Sequence, residues 1–526
     1  MSVIPTHPIL IGGQWRPADA VQTFQAENPV TREPLPESYP ISSWRDCDEA
    51  LKWASVAATA LREISPERIA QFLEVFAARI ETRKDELVTM ANAESALPKA
   101  PRLADIELPR TTSQLRQAAA AAREGSWAMA TIDTASNIRS VLAPIGPVIV
   151  FGPNNFPFAF NSIVGGDFAA AIAAGNPVIA KANSSHPGTT RLFAEEAHAA
   201  AHAANLPAGT VQLLYRTGHA DGERLVSDPR TGATGYTGSR TAGLKLKAAA
   251  DAAGKPIYVE LSSVNPVVIL PGALAERFDD IAGQFATSCL MGTGQFCTNP
   301  GLVLLLKSVD AERLIATLVE KFAKAPVGTL LSQSVETSLN KAIGTLRTAG
   351  AKVLVGGTVG GGAGASFANT LLSVTGEQFL QHPEALQTEA FGNASLVVVA
   401  DDVAQAAQII ERLEGNLTGC IYSDTTGKDD EAYEKLAPRL RVKVGRLLND
   451  KMPTGVAVSP AMNHGGPFPA TGHPGFTAVG IPAALRRFAA LHCYDGVRAP
   501  RLPAILQDKN PTGRTWRLID GQWTVA

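Results

Sequence analysis

The stretch "APIGPVIVFGP", residues 143–153, opens the part of the chain that decides the fold. It is an apolar run punctuated by Gly and Pro, a pattern typical of a buried strand between turns. From there to about residue 270, apolar strands alternate with Ala-rich helices, in the order "PVIVFGP", "NSIVGGDFAAAIAAG", "PVIAKAN", "TTRLFAEEAHAAAHAA", "TVQLLY", "ATGYTGS", "TAGLKLKAAADAAG" and "PIYVEL". The alternation predicts an α/β fold with a parallel sheet covered on both faces, which binds ligands beyond the carboxyl ends of its strands.

The regions on either side have different patterns. From residue 45 to 130, apolar residues recur at three- and four-residue spacing, which predicts helices that cover the sheet. A second α/β stretch, from about 272 to 450, contains the apolar runs "GLVLLL", "AKVLVGG" and "SLVVVA" among helical patterns. Its basic segment "RLRVKVGR" at 439–446 alternates like a strand with its charges toward solvent. Beyond residue 450 the chain is dense in Gly and Pro, which predicts ordered loop.

The composition indicates a globular protein of two or three lobes. Of the 526 residues, 45% are hydrophobic and 18% are charged, so most of the chain can bury apolar surface. A formal net charge of −2 argues against nucleic acid or an anionic membrane as a partner. No apolar run approaches the ~18 residues of a membrane helix. The N-terminal "MSVIPTHPIL" lacks the features of a signal peptide, so a cytoplasmic location is expected.

The five cysteines are scattered without a CxxC pair, so neither a disulfide framework nor a metal site is predicted. Cys297, in "GQFCTN" at 294–299, lies between a helix that ends near Met291 and a strand at 302–306, and therefore on a loop where a thiol is accessible. Two interpretations stand for it, a small buried hydrophobe or a nucleophile. The first interpretation is retained for the other four, Cys47, Cys289, Cys420 and Cys493.

Polar residues occur where the predicted strands end. "FGPNNFPF" puts Asn154 and Asn155 after a strand, where they either cap the next helix or face the ligand site. Glu260 lies in the apolar strand "YVEL", and a carboxylate there is costly to bury unless it is paired or functional. "GYTGSRTAG", with Gly238 and Ser239, turns into a helix whose N-terminus can hold a phosphate. Its spacing matches neither G-x-G-x-x-G nor a Walker loop.

Six motifs, taken together and in this order, resemble the aldehyde dehydrogenase superfamily: "FGPNNFPF", "VIAKANSSHPG", "GYTGSRTAG", "VELSSVNP", "GQFCTNPG" and "TEAFGN". The resemblance spans nearly the whole chain. It is strongest to the NADP-accepting branch that includes α-ketoglutaric semialdehyde dehydrogenases and the NADP-dependent fatty aldehyde dehydrogenase, through "NHGGPFPATGHPGFTAVG" and the long C-terminal tail. The resemblance thus implies the aldehyde dehydrogenase fold and an oxidoreductase activity.

The resemblance also implies roles for residues of these motifs. Cys297 would be the nucleophile that attacks the aldehyde carbon, and Asn155 with the Cys297 backbone N–H would hold the developing oxyanion. Glu260 would be the general base on the water that hydrolyses the thioester. The residues that would contact the cofactor are Lys181, Ser184, Gly238, Ser239, Glu389 and Phe391.

The sequence departs from the family pattern at Ser184, where a glutamate often grips the two ribose hydroxyls of NAD. A serine would not repel a 2′-phosphate, so NADP is the expected cofactor and NAD is tolerated. Arg216 and Arg240 are candidate partners of that phosphate. "TEAFGN" has Thr388 and Asn393 where Glu and Pro are usual, and "ELSSVNP" replaces the commoner Glu-Leu-Gly-Gly-Lys. These changes affect fine positioning more than the reaction class.

The family resemblance implies how the chain is divided. Residues 1–127 and 146–260 would form a Rossmann-like dinucleotide-binding domain, and residues 261–455 an α/β catalytic domain. Residues 128–145 would form a small β oligomerisation arm, and residues 456–526 a C-terminal wrapping and oligomerisation segment. We therefore expect a homodimer or homotetramer.

The leading hypothesis is an NADP-preferring dehydrogenase that oxidises a small-molecule aldehyde to its acid, with α-ketoglutarate semialdehyde as substrate and 2-oxoglutarate as product. Three alternatives stand beside it: oxidation of fatty or other aliphatic aldehydes with NADP, acyl transfer from the thioester to coenzyme A, and a non-catalytic protein that keeps the fold. Glu260 favours water over coenzyme A as the acceptor, because a thiol needs less help from a base. The complete set of Cys297, Asn155 and Glu260 disfavours the non-catalytic alternative.

Overall fold

The computed structural model describes residues 5–525, so the outermost ends of the expected segments 1–127 and 456–526 lie outside the described residues. The strands, in chain order, are β1 (Ile9–Ile11), β2 (Gln14–Arg16), β3 (Ala20–Phe24), β4 (Glu27–Asn28), β5 (Glu33–Pro34), β6 (Tyr39–Ser42), β7 (Thr131–Asp133), β8 (Ile138–Pro144), β9 (Val148–Phe151), β10 (Val178–Lys181), β11 (Val211–Leu214), β12 (Arg216–Thr217), β13 (Ala233–Thr237), β14 (Ile257–Glu260), β15 (Val267–Ile269), β16 (Leu302–Leu306), β17 (Lys352–Val355), β18 (Thr370–Thr375), β19 (Ala394–Ala400), β20 (Asn416–Tyr422), β21 (Val444–Asn449), β22 (Ala489–Asp495), β23 (Arg517–Ile519) and β24 (Gln522–Thr524). The helices are α1 (Trp44–Leu61), α2 (Pro66–Thr82), α3 (Lys84–Ser95), α4 (Leu108–Glu124), α5 (Gly166–Ala173), α6 (Pro187–Ala203), α7 (His219–Ser227), α8 (Arg240–Ala252), α9 (Pro271–Leu290), α10 (Val309–Lys324), α11 (Gln333–Thr348), α12 (Gly376–Gln381), α13 (Pro383–Leu386), α14 (Val403–Arg412), α15 (Asp430–Arg441) and α16 (Ala483–Arg486).

The first sheet is the parallel sheet that the segment from 143 to 270 predicts. Its seven strands have the order β14-β13-β9-β10-β11-β1-β2, and the five from β14 to β11 run parallel. The hairpin β1–β2 extends it antiparallel to β11, with Leu10 opposite Leu213. Every residue of β9 and β14 is buried, so the predicted double coverage is confirmed.

The helices predicted before the sheet are also confirmed. Four helices, α1 to α4, occupy most of the region from residue 44 to 124, and the apolar stripe of each is buried. The first two begin with a capping serine, Ser43 before α1 and Ser65 before α2. Ser65 accepts the N–H of Arg68 through its side chain and is followed by Pro66 in the first turn. Within the described residues, no helix is long and apolar enough to cross a bilayer.

The second sheet is built from residues 267–449, in the order β17-β18-β19-β16-β15-β20-β21. All of its pairs are parallel except β17 with β18 at one edge. All five residues of β16 are buried, as the run "LVLLL" predicts. The two parallel sheets confirm the predicted α/β fold class.

A third sheet combines two distant parts of the chain. Its five strands have the order β22-β8-β7-β23-β24, so residues 131–144 pair with residues 489–524. Strands β22 and β24 are its free edges. The segment expected to form an arm and the expected C-terminal segment thus share one sheet.

The strand ends of the first sheet position the functional site. The parallel register pairs Tyr236 with Phe151 and Thr237 with Glu260, so β9, β13 and β14 end side by side. The loop from α9 to β16, which carries Cys297, reaches this edge from the second sheet. The site therefore lies at the carboxyl edge that the fold class predicts.

Candidate active site

A cleft of about 590 Å³ opens at the carboxyl edge of the first sheet. Seven of the nine residues predicted for the site contribute to its walls: Asn155, Gly238, Ser239, Glu260, Cys297, Glu389 and Phe391. The remaining two do not line this cleft: Lys181 is the last residue of the neighbouring strand β10, and Ser184 follows that strand at the same sheet edge. The cleft is concave and polar at several points, as expected of a site that binds a large polar ligand.

Cys297 lies on the loop between the short 3₁₀ turn Met291–Gly294 and β16. It is half-buried, whereas Cys47, Cys289 and Cys420 are buried as predicted. The prediction of a buried Cys493 was wrong, because that residue is exposed on the edge strand β22. The Asn265 side chain holds this loop, since its Nδ2 donates to the carbonyls of Cys297 and Asn299, each at 2.9 Å. The thiol is therefore accessible from the cleft on a backbone that is fixed from behind.

Glu260 is the last residue of β14 and is only 1% exposed. Its backbone forms an antiparallel bridge with Thr471 of the C-terminal loop, and the N–H of Leu261 donates to the carbonyl of Ala470 at 2.8 Å. One carboxylate oxygen, Oε1, is bound by His464. The other, Oε2, is buried and has no hydrogen-bond partner within residues 5–525, so it can accept a proton.

His464 joins the nucleophile candidate to the base candidate, and the sequence did not predict it. Its Nε2 lies 3.3 Å from Cys297 Sγ and 3.1 Å from Glu260 Oε1. Burial favours the neutral imidazole, but the adjacent Glu260 carboxylate and Cys297 thiolate outweigh that effect and raise the pKa of His464 to about 10. An imidazolium beside a cysteine is the arrangement that favours a reactive thiolate.

Close backbone packing brings His464 to this point. A Cβ on Gly465 would lie 2.1 Å from the carbonyl oxygen of Phe476, and a Cβ on Gly445 would lie 1.7 Å from the carbonyl oxygen of Gly465. Only residues without a side chain allow the two segments to approach so closely. The sequence feature that could have pointed to a functional His464 is its place beside two glycines in a segment rich in Gly and Pro.

The same three side chains offer the ligand atoms of a zinc site. The thiol of Cys297, the imidazole of His464 and the carboxylate of Glu260 all lie within 4.8 Å of one another. Thiolate, imidazole and carboxylate are the ligand types that zinc prefers. The sequence prediction of no metal site did not consider this grouping, because it did not include His464.

Asn155 is buried beside the Cys297 loop. Its side-chain Nδ2 donates to the backbone carbonyl of Gln295 at 3.0 Å. Its backbone carbonyl accepts a hydrogen bond from Arg102 Nη2 at 3.1 Å. An amide nitrogen carries two hydrogens, so one N–H is left for another acceptor. The neighbouring Asn154 also lines the cleft.

The other end of the cleft contains the start of α8. Ser239 caps this helix by accepting the N–H of Ala242, and Gly238 precedes it in the cleft wall. A Cβ on Gly238 would lie 2.7 Å from the hydroxyl oxygen of Tyr236, so the backbone approaches a neighbour more closely than a side chain would allow. Free N–H groups and the positive end of the helix dipole at this position suit a phosphate group.

Glu389 and Phe391 form a further part of the wall. Burial raises the pKa of Glu389 to about 8, with a smaller contribution from the charge of Glu260 and an opposing one from the Ser263 backbone. A carboxyl group in this state can accept hydrogen bonds from ribose hydroxyls without a cationic partner. The donor set at the helix start and this acceptor together fit a dinucleotide.

Lys181 and Ser184 extend the same sheet edge beyond the cleft. Burial lowers the pKa of Lys181 to about 8, and the positive charge of Arg216 acts in the same direction. Two cationic groups near each other at this edge suit an anion. Arg240, by contrast, forms a two-point ion pair with Glu414 at 2.8 and 3.0 Å, so its charge is already matched.

Comparison with known proteins agrees with this geometry. The model of the aldehyde dehydrogenase family matches residues 15–467. Alpha-ketoglutaric semialdehyde dehydrogenase 2 of Azospirillum brasilense is 39% identical over 98% of this chain and 99% of its own length. Alpha-ketoglutaric semialdehyde dehydrogenase of Acinetobacter baylyi is 35% identical over 98% of each chain.

The fold agrees as well. The crystal structure of lactaldehyde dehydrogenase from Escherichia coli superposes with a TM-score of 0.80 over 94% of this chain and 99% of that one, at 21% identity. Likeness at that identity concerns the fold alone, whereas the family match covers most of the sequence. The chain belongs to the aldehyde dehydrogenase family.

Proposed function

We propose that the protein oxidises α-ketoglutaric semialdehyde (2,5-dioxopentanoate) to 2-oxoglutarate, with NADP as the preferred cofactor. The observation that carries the proposal is the convergence of Cys297, Glu260 and His464 at one end of the cleft. The names of the two relatives that align over 98% of the chain support the choice of substrate.

In this proposal Cys297 begins the reaction as a thiolate. Its Sγ, 3.3 Å from His464 Nε2, attacks the aldehyde carbon, and the carbonyl electron pair moves onto oxygen. The backbone N–H of Cys297 and the Asn155 amide donate to this alkoxide. Since one N–H of that amide is held by Gln295, the second is the donor that remains.

Oxidation leaves a thioester on Cys297, which water then hydrolyses. The dinucleotide, when bound, supplies the acceptor for the hydride that the carbon loses. Glu260 removes a proton from the water at Oε2, since its Oε1 is bound by His464. The hydroxide adds to the thioester carbon, and the Cys297 thiolate leaves as the acid is released.

We assign the pyrophosphate of the cofactor to Gly238, Ser239 and the start of α8, and the nicotinamide ribose to Glu389 with Phe391 beside it. Lys181 is assigned to the adenosine ribose. Preference for NADP rests on Ser184, which lacks the carboxylate that would repel a 2′-phosphate. Arg216 supports it, since its charge acts on Lys181 and no carboxylate within the described chain forms an ion pair with it.

The proposal is tested by the reduction of NADP, followed by absorbance, with 2,5-dioxopentanoate as substrate. The wild-type protein should produce 2-oxoglutarate and NADPH in equal amounts, and Cys297→Ser should abolish both. Cys493→Ser is the matched control, because Cys493 is exposed on β22, outside the cleft. Normal turnover in Cys297→Ser would refute the assignment of the nucleophile.

The same assay separates hydrolysis from acyl transfer. Glu260 Oε2 is a buried base with no partner in the described residues, which favours water as the acceptor. Adding coenzyme A should therefore leave the yield of free 2-oxoglutarate unchanged. An acyl-CoA product would instead assign the enzyme to the transfer class.

We also propose that the protein is a homo-oligomer and acts in the cytoplasm. Apolar side chains are exposed on the third sheet, where Leu491 is 67% and Trp523 49% accessible. The proposed location rests on the cysteines, all five of which are unpaired, as is usual in a reducing compartment.

A further inference from the structure

Arg110 forms no ion pair with a carboxylate in the part of the chain that the structure describes. Its Nη1 donates to the carbonyl of Val456 at 2.9 Å, and its Nε donates to Gln114 at 3.2 Å. Its Nη2 is buried and has no hydrogen-bond partner in any residue that the structure describes. Carbonyl and amide oxygens solvate a guanidinium group but do not neutralise it.

Arg446 is a second arginine in the same condition. This residue of β21 donates through Nη2 to the carbonyls of Pro453 and Gly455, at 3.2 and 3.4 Å. Its Nε is buried without a partner, and no ion pair to Arg446 or Arg110 is found between residues 5 and 525. Arg110 and Arg446 thus bind consecutive residues, 456 and 455, of one loop.

Both guanidinium groups are placed near the nucleophile by contacts around His464. Arg446 donates through Nη1 to Met462 Sδ, two residues before His464, at 3.7 Å. The guanidinium carbon of Arg110 is 5.3 Å from the centre of the Phe160 ring, and that ring is 5.9 Å from the ring of His464, which contacts Cys297. Burial lowers the pKa of both arginines, and the Cys297 thiolate opposes this effect in each case; at Arg110 the Glu107 carboxylate opposes it as well, less strongly. The two arginines therefore belong to the surroundings of the reacting thiol.

A neighbouring arginine shows the ordinary alternative. Arg102, like Arg110, lies over the ring of Phe156. Its Nη1, however, is bound to the Glu107 carboxylate, so its charge is compensated within the protein. Glu107 cannot serve Arg110 in the same way, because its other oxygen accepts the backbone N–H groups of Phe158 and Ala159. Two like charges that converge on one loop without a carboxylate are unfavourable unless an anion binds between them.

We propose that Arg110 and Arg446 bind the carboxylate of the substrate, and so select aldehydes that carry an acid group at the far end. This inference rests on the proposed function and refines its substrate class. The aldehyde would lie at Cys297, the methylene chain beside Phe160, and the carboxylate at the two guanidinium groups. A fatty aldehyde would leave both charges unpaired, which disfavours that alternative.

The test compares Arg110→Met and Arg446→Met with wild-type protein on 2,5-dioxopentanoate, succinic semialdehyde and pentanal. The quantity of interest is the ratio of kcat/KM for each anionic aldehyde to kcat/KM for pentanal. Loss of one charged hydrogen bond should lower this ratio about 10- to 100-fold, mainly through KM. Arg110→Lys should recover part of it, because the positive charge remains.

Arg224→Met is the matched control. Arg224 also stacks on an aromatic ring, that of Trp44 at 3.7 Å, but it lies on α7, outside the cleft. The ratio of kcat/KM for each anionic aldehyde to kcat/KM for pentanal should be the same in Arg224→Met as in the wild type. If the Met variants fail to fold, Arg110→Lys provides the test instead, because it changes the side chain least. Glutarate should inhibit pentanal oxidation competitively in the wild type, and it should inhibit this conservative variant more weakly.

Three outcomes distinguish a failure of this inference from a failure of the proposed function. An equal loss of activity toward charged and neutral aldehydes would show that the arginines only hold the loop, and the inference would fall. A wild-type preference for succinic semialdehyde over 2,5-dioxopentanoate would refute the proposed substrate. The role of the arginines would still be tested by the ratio of kcat/KM for succinic semialdehyde to kcat/KM for pentanal. A wild-type preference for pentanal over both acids would refute both.

Discussion

Cys297, His464 and Glu260 form one electrostatic unit, because a single imidazole nitrogen contacts both the thiol and the carboxylate. A protonated His464 lies between two groups that are negative when ionised. Its side chain is only 2% exposed, so burial and these two neighbours, rather than contact with solvent, determine its position and its pKa. The unit therefore prepares the nucleophile before substrate arrives.

Replacing His464 by Gln should slow aldehyde oxidation about 100-fold, because the thiolate loses its positive partner. Alkylation of Cys297 by iodoacetamide at pH 7, quantified by mass spectrometry, should be faster in the wild type than in the variant, because the imidazolium of His464 lies beside the thiol. The exposed Cys493 of the same sample is the internal control. Equal alkylation rates for Cys297 in both proteins would contradict the prediction.

The raised pKa of His464 also sets a pH dependence of stability. The folded-state pKa of about 10 exceeds the usual value of 6.5, so folding favours the protonated form. Its contribution to stability is complete below pH 6.5 and is lost as the pH rises through about 10. The gap between the melting temperatures of wild type and His464→Gln should therefore narrow from pH 6 to pH 10. A gap that widens would contradict the assigned charge.

Ser184→Glu should reverse the cofactor preference. The added carboxylate would repel a 2′-phosphate and could accept both ribose hydroxyls of NAD. We expect kcat/KM for NADP to fall at least about 10-fold relative to NAD, as loss of one favourable charged contact predicts. Ser185→Glu adds the same charge one residue later and should change the ratio less. Equal shifts in the two variants would indicate a long-range effect of charge rather than contact.

At the level of single residues, prediction succeeded where a motif carried the signal. The motif-borne Cys297, Glu260 and Asn155 do meet in one cleft, although their chemical roles are still proposals. His464 lies within the motif at residues 463–480, but its role could not be predicted, because its partners Cys297 and Glu260 are 167 and 204 residues away in sequence. No local pattern encodes a contact that depends on backbone packing at Gly445 and Gly465.

The loop that carries the nucleophile is fixed by one side chain of the second sheet. Asn265 lies before β15 with a φ of 47°, and its Nδ2 holds the carbonyls of Cys297 and Asn299. Its Oδ1 accepts the hydroxyls of Ser263 and Thr418, each at 2.9 Å. The loop is therefore attached to the sheet by a residue that satisfies both ends of its amide.

Asn265→Gly and Asn265→Ala should each lower kcat about 10-fold, because both remove the hydrogen bonds that fix the Cys297 loop. Ala should also lower the melting temperature further than Gly, since a left-handed backbone costs a residue with a Cβ about 1 kcal/mol. Asn137→Ala is the control, because Asn137 has a φ of 52° in the turn between β7 and β8. It should lose stability but keep kcat. Normal kcat in both Asn265 variants would contradict the role of the loop.

Elements with strong periodicity were predicted from sequence, and elements with diluted periodicity were not. Helix α11 lines the cleft through Ser334, Ser338 and Lys341, but it was not predicted. Its six buried positions alternate with Ser, Thr, Asn and Gly, which weaken the apolar stripe. The prediction for "RLRVKVGR" was partly wrong: α15 runs to Arg441 and β21 begins only at Val444.

The same segment shows why charge is a poor guide to exposure. Arg446 was expected to face solvent, yet its Nε is buried and its Nη2 binds loop carbonyls. A long side chain can bring its charge inward wherever backbone oxygens are available to solvate it. Sequence does not show where such oxygens are, because the carbonyls of Pro453 and Gly455 belong to an irregular loop whose path no periodic pattern predicts.

The third sheet joins the first half of the chain to its end. Strands β7 and β8 pair with β22 and β23, so the last 40 or so residues are tied to the segment at 131–144. Such pairing is invisible to local patterns, since a strand does not encode the identity of its partner. The hairpins β1–β2 and β23–β24, in contrast, follow from their Gly-Gly and Asp-Gly turns.

The exposed edge of the third sheet is a surface at which two copies of the chain can pair. Strand β22 is a free edge, and Leu491 in its middle is 67% exposed. A long apolar edge that stays open invites pairing with another chain. The wild-type protein should therefore have a mass in solution of two or four times 55.2 kDa by light scattering. Leu491→Glu should shift it toward the single-chain mass, because a buried unpaired carboxylate disfavours the contact.

Val309→Glu is the matched control for that experiment. Val309 is 81% exposed at the start of α10, which packs on the second sheet rather than the third. The same charge at an equally open apolar position should leave the mass unchanged, because α10 offers no free strand edge. If both variants kept the wild-type mass, the β22 edge would not be an interface. A wild-type protein of 55.2 kDa would exclude the oligomer altogether, and the exposed strand would then need protection from within the chain.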